Sequence, residues 1–230
     1  MEPSTPAAID PPANVLLVHP RHDEPAACEE LCYDDGGTAH LTVTFADEEP
    51  TCPDAEAVDG KRGLITIGNV LTDDESVSDF SHHVVSETVT DPTNLSEIGV
   101  AISRFCKHWA GNDEDITVCF DSLDALLRHT SPTDVFQFTH VLMNRLSSVD
   151  AYAHCHFDPT RHEDRVVSTF GTIFDSVVAE ETSDSLPEAT DEEVTSLLAE
   201  WETESASDGA PDPESVTEAT DEDIAQLFGK

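Results

Sequence analysis

Lysine is nearly missing from this chain of 230 residues: only Lys61, Lys107 and Lys230 occur, and the seven arginines are scattered. Nucleic-acid binding needs clustered Lys and Arg against phosphates, so no nucleic-acid partner is expected. No apolar run approaches the ~18 residues of a spanning helix, so no membrane segment is expected either. The opening MEPSTPAAIDPPAN lacks the basic-then-apolar pattern of a secretory signal, which predicts a cytoplasmic protein. Six cysteines in so long a chain do not make a disulfide framework, and thiols are expected.

What is present in excess is acid. Asp and Glu outnumber Lys and Arg 49 to 10, for a formal net charge of −39 and a pI near 4.1. Like charges at that density strain a compact fold in dilute buffer. At molar salt the screening length falls to ~3 Å and the strain fades. The acids are dense from Asp23 to Glu56 as well as in the tail, so a single acidic tail does not account for them. In this respect the composition resembles cytoplasmic proteins of salt-accumulating haloarchaea.

Residues 1–13 read as a flexible leader, and residues 14–180 alternate between strand and helix patterns. NVLLV (14–18), HLTVTF (40–45), GLITIG (63–68), ITVCF (116–120) and AYAHCHF (151–157) are predicted strands, with HVVSETV (83–89) an edge strand. Cys28, Leu31 and Cys32 form the stripe of a short helix, and both cysteines read as core. Leu95, Ile98, Ile102, Phe105 and Trp109 share one face of a helix from about Asn94, ended by Gly111. Leu123, Leu126 and Leu127 mark a short helix. Ser131-Pro132 opens another, carrying Val135, Phe138, Val141, Leu142 and Leu146. A last helix is predicted over 163–180 from the spacing of Val166, Val167, Phe170, Ile173, Phe174, Val177 and Val178. Alternating elements of this kind predict an α/β fold, a mostly parallel sheet with helices on both faces.

Residues 181–230 form an acidic tail in which EATDEEVTSLLAEW (188–201) returns as EATDEDIAQLFGK (218–230). Two short amphipathic helices are predicted, about 190–201 and 220–229. Thr190 with Glu193 makes a capping box and Thr220 with Asp223 echoes it. Val194, Leu197, Leu198 and Trp201 form one docking stripe, and Ile224, Leu227 and Phe228 the other.

Chemical signals are few. ITVCFDSLDALL (116–127) has the strand-Asp-Ser-Leu-helix form of a magnesium-holding segment, but no glycine-rich phosphate loop follows the first strand. HPRHDEPAACEELC (19–32) has neither glycine nor lysine, and its carboxylates would repel phosphates. A strand-end carboxylate capping the next helix explains Asp121 as well, and Glu48 and Glu49 read as a solvated acidic turn. His154 and His156 share one strand face, with Asp158 close behind, a set able to hold a divalent metal. Cys106, Cys119 and Cys155 fall on buried elements, and nothing marks an activated thiolate.

FDSLDALL and TVTFADEEP resemble the RecA superfamily, especially its KaiC and GvpD branch, and the run from Asn14 to about Glu180 is similar to haloarchaeal domains of that kind lacking the phosphate loop. The resemblance implies a three-layer RecA-like fold. It would give Asp121 a magnesium and set Ser122 beside it, as a nucleotide site. Self-association is implied too. The expected function is therefore a non-catalytic regulatory or adaptor protein, without catalytic residues or cofactor, binding a protein partner or itself. The alternatives are a nucleotide-binding or hydrolysing protein with an unconventional phosphate site, and a divalent-metal sensor.

Overall fold

The computed structural model describes residues 4–20, 26–33, 39–48, 60–68, 80, 82–112, 114–179 and 189–207. Among the described residues seven strands form one sheet: β1 (Asn14–Val18), β2 (Ala39–Phe45), β3 (Lys61–Ile67), β4 (Val84–Val89), β5 (Ile116–Phe120), β6 (Tyr152–Phe157) and β7 (Ser176–Ala179). Every pairing is parallel and the order is β4-β3-β2-β5-β6-β1-β7. The helices are α1 (Ala26–Tyr33), α2 (Leu95–Ala110), α3 (Leu123–His129), α4 (Pro132–Ser147), α5 (Asp164–Gly171) and α6 (Asp191–Ser207). The expected α/β architecture, a parallel sheet between helical layers, is what the chain adopts.

The central strands are buried along their whole length, so their sequences are continuous apolar runs rather than alternations. Helix starts follow local chemistry. Asn94, Ser122 and Ser131 each accept a backbone N–H three residues on, and Pro132 begins α4 where its missing N–H costs nothing. One sheet face carries Leu16, Leu41, Val43, Val118, Phe120 and Phe157 into the larger core, where Phe105 and Trp109 of α2 and Leu142 and Leu146 of α4 meet them. At Gly63 a Cβ would stand 2.6 Å from Phe105 and 2.8 Å from Leu41, so only glycine lets α2 sit this close to β3. The opposite face carries Val15, Leu17 and Cys119 against Ala27, Cys28, Leu31 and Cys32 of α1.

The helix predicted over 163–180 ends at Gly171, and Ser176–Ala179 is β7 instead. Phe170, Phe174 and Val177 fit both periods. The ladder β7 forms on the outer side of β1 satisfies its backbone along an edge that a helix would leave open. Asp175 also accepts from the backbone N–H of Asn14 at 2.8 Å, tying the two strand starts together. Val141, expected in the core, is exposed. The first predicted tail helix is α6 and runs on to Ser207. The second, with Ile224, Leu227 and Phe228, lies outside the described residues, as does Glu49. Among the described residues no helix is long and apolar enough to cross a membrane.

Candidate metal centre

Strand alternation and register build a polar row across the middle of the sheet on the α1 side. Thr42, Cys119, His154 and Val15 are successive partners on β2, β5, β6 and β1, and His156 stands two residues along from His154, beside Leu17. Above this row, Cys28 and Cys32 sit one helical turn apart on α1 and point the same way. Every one of these cysteines and histidines is buried.

The donors converge. Cys28 Sγ lies 3.4 Å from His154 Nε2 and 3.9 Å from Cys32 Sγ, and Cys32 Sγ lies 3.8 Å from His154 Nε2. Tetrahedral zinc with ordinary bond lengths has S···S edges of about 3.8 Å and S···N edges of about 3.6 Å. Cys119 Sγ lies 3.5 Å from His156 Nε2. Donor atoms of Cys28, Cys119, His154 and His156 are all within 4.8 Å of one another. Two overlapping sets thus share Cys28 and His154, one completed by Cys32 and the other by Cys119 and His156. Cys119 is disulfide-bonded, whereas Cys28, Cys32, Cys106 and Cys155 are thiols, so Cys119 can ligate only after reduction.

Protonation follows from the hydrogen bonds. The Pro20 carbonyl can only accept, so the neutral His19 ring donates to it from Nδ1 at 3.0 Å. His19 Nε2 then accepts from His156 Nδ1–H at 2.8 Å, leaving the His156 Nε2 lone pair aimed at the cluster. A ligand histidine is oriented in this way by a partner on its other nitrogen. The Cys32 thiol is held well below the usual range, to about 3. A hydrogen bond from Cys28 is the main cause. The His154 charge and hydrogen bonds from His154 and His40 add to it, and burial opposes all of them. His40 Nδ1 has no hydrogen-bond partner although the residue is 5% exposed. These contacts favour the thiolate, the form in which sulfur binds a metal.

The other expected site residues lie at the carboxyl edge of the sheet. Asp121 follows β5 and is buried, and its backbone N–H donates to Val43. Ser122, not Asp121, caps α3, accepting from Ala125 N–H at 3.0 Å. Asp158 accepts from the Thr160 backbone and hydroxyl and pairs with Arg161 at 3.2 Å, so it does not join the His154–His156 cluster. Glu48 is not the solvated residue expected of an acidic turn. Its side chain is 3% exposed, with Arg128 at 2.6 Å and Arg161 at 3.8 Å. Asp124, unremarked in the sequence, is buried and takes the His162 ring at 2.6 Å and the Asp158 N–H at 2.9 Å.

The sequence singled out His154 and His156 and read Cys28 and Cys32 as core. It did not connect them with Cys119, His19 or His40. The available signal was Cys-x-x-x-Cys on one helix face combined with His-x-His on one strand face.

Residues 12–180 match a family of unknown function, DUF7504. The chain belongs to DUF7504. Its matched span runs from just before β1 to just after β7, and so contains every donor named above while leaving α6 outside. No curated protein and no solved structure matches the chain.

In the docking stripe assigned to the first repeat, Leu197 and Trp201 are buried and Val194 and Leu198 half-buried. Trp201 and Phe170 have ring centroids 6.3 Å apart, and Arg165 pairs with Glu200 at 2.6 Å. This stripe is turned onto α4 and α5 of its own chain.

Proposed function

We propose that this protein is a zinc-binding regulatory domain rather than an enzyme, working in a salt-rich cytoplasm through contacts with a protein partner or a second copy. Cys28 and His154 hold the ion, joined by Cys32 or by His156 with Cys119 once reduced. The observation that carries the reading is the triangle of Cys28, Cys32 and His154, whose edges match those around a tetrahedral ion. Sulfur and imidazole donors favour zinc over magnesium or calcium, which prefer oxygen.

The ion would join α1 to β5 and β6, elements more than eighty residues away in the chain. Occupancy would therefore fix how α1 lies on the sheet, and the outer face of α1, with Glu29 and Glu30 exposed, is where a partner would read it. The RecA-like resemblance fits a scaffold whose phosphate chemistry is gone. Arg128, Arg161 and His162 at the carboxyl edge of the sheet are already engaged by Glu48, Asp158 and Asp124.

The test is metal analysis of the full chain purified under reducing conditions in molar KCl. One zinc per chain is expected, absent from Cys28→Ser and His154→Ala and retained in Cys106→Ser. A wild-type protein that takes up no zinc when offered an equivalent would end the proposal. Cobalt substitution adds a second reading, because thiolate-to-cobalt absorption reports sulfur ligation directly.

A further inference from the structure

The triangle of Cys28, Cys32 and His154 supplies three donors, whereas structural zinc is held by four. Cys119 is disulfide-bonded and withheld until it is reduced. His156 groups with Cys28, Cys119 and His154, all within 4.8 Å of one another, and Cys32 is not in that set. The corner of the triangle at Cys32 therefore needs a donor from somewhere else.

Strand register puts His40 at that corner. His40 pairs with Thr117, and Thr117 with Tyr152, two residues toward the strand starts from the row of Thr42, Cys119 and His154. A step of two keeps His40 on the same face of the sheet, under α1. His156 stands two residues from the row in the opposite direction. The cluster thus has a Cys119–His156 end and a Cys32–His40 end, with Cys28 and His154 common to both. We infer that His40 is the fourth zinc ligand while Cys119 is oxidised, closing a set of Cys28, Cys32, His40 and His154; this rests on the zinc reading above.

The state of the His40 ring supports the assignment. His40 is 5% exposed, and its Nδ1 has no hydrogen-bond partner. Buried ring nitrogens are normally satisfied, and ligation through Nδ1 would satisfy this one. Among the described residues only the hydrogen bond to Cys32 holds the ring, so it can turn toward the centre of the triangle without breaking another. Two cysteines and two histidines make a closed tetrahedral zinc set. With His40 in it, the ion ties α1 to β2 as well as β6, on either side of β5. Reduction of Cys119 would then offer the ion a second set at the other end of the cluster.

The experiment is zinc binding by the full chain in molar KCl without reductant, so that Cys119 stays oxidised. Affinity is read by competition with a chromophoric chelator. His40→Ala is expected to weaken zinc by about a hundredfold or more, at the upper end of what losing an outer-shell partner costs or beyond it. His156→Ala should leave it within a few-fold under the same conditions. Nitrogen NMR of the wild-type histidine rings gives a reading that needs no variant: zinc should move the signals of His40 and His154 to the range of metal-bound imidazole. Zinc bound with the His40 signals unmoved and with equal affinity in His40→Ala would overturn the inference. So would zinc taken up only after Cys119 is reduced, which would leave the other donor set as the site. Wild-type protein that binds no zinc in either redox state would end the metal reading itself, and this inference with it.

Discussion

His19 Nε2 lies 2.8 Å from His156 Nδ1, with both rings buried and the far side of His19 fixed on the Pro20 carbonyl. His19 comes one residue after β1 and His156 from the end of β6, so this contact lets the first strand of the chain orient a donor on the sixth. His19→Ala leaves the lone-pair direction of His156 unset. Zinc affinity, read by competition with a chromophoric chelator, should fall by about 10–100-fold while the far-ultraviolet circular dichroism is unchanged. Equal affinity in the variant would mean that His156 does not bind the ion.

Zinc removal should also lower stability. At free zinc about a thousandfold above its dissociation constant, binding adds about 4 kcal/mol to unfolding. For a chain of this size that corresponds to roughly 10 °C in Tm. Differential scanning calorimetry with and without chelator, at fixed KCl, measures it. Cys28→Ser should melt at one temperature under both conditions.

The cysteines outside the cluster should behave differently from those in it. Burial pushes the Cys106 thiol up to about 12 and raises Cys155 as well, so both are protonated and covered at neutral pH. Since the thiolate is the nucleophile, alkylation of Cys106 and Cys155 should proceed only as fast as the chain unfolds. Mass spectrometry of iodoacetamide-treated protein, native against urea-unfolded, checks this. Rapid native labelling of Cys155 would contradict the packing of β6.

Gly63→Ala places a methyl group 2.6 Å from the Phe105 ring and 2.8 Å from Leu41. Both neighbours are fully buried, so the ring must shift or α2 must lift from β3. A loss of about 1–3 kcal/mol in urea unfolding is expected. The same change at Gly99 meets only Phe138 at 3.5 Å, an ordinary contact, so it brings no comparable clash.

Most of the scaffold was legible because its signals are local. Asn94, Ser131 and Pro132 announce the helices they begin, and NVLLV and ITVCF announce strands buried on both faces. The end of the sheet was less legible, because Val177 and Val178 suit either period and only the open flank of β1 decides between them. The cluster was least legible. Cys28 and His154 are 126 positions apart, and their meeting depends on the strand order and on α1 crossing the same face as the His154 side chain. Glu48 was misread for a similar reason: its burial comes from Arg128 and Arg161, both distant in the chain.

β1, the first strand made, is flanked in the finished sheet by β6 and β7, the last two. During synthesis Val15, Leu16 and Leu17 must wait for roughly 140 further residues before gaining a neighbour on either side, which at 5–20 residues per second takes on the order of ten seconds. A nascent chain stalled before Tyr152 therefore presents β1 as a sticky ribbon with neither sheet neighbour in place.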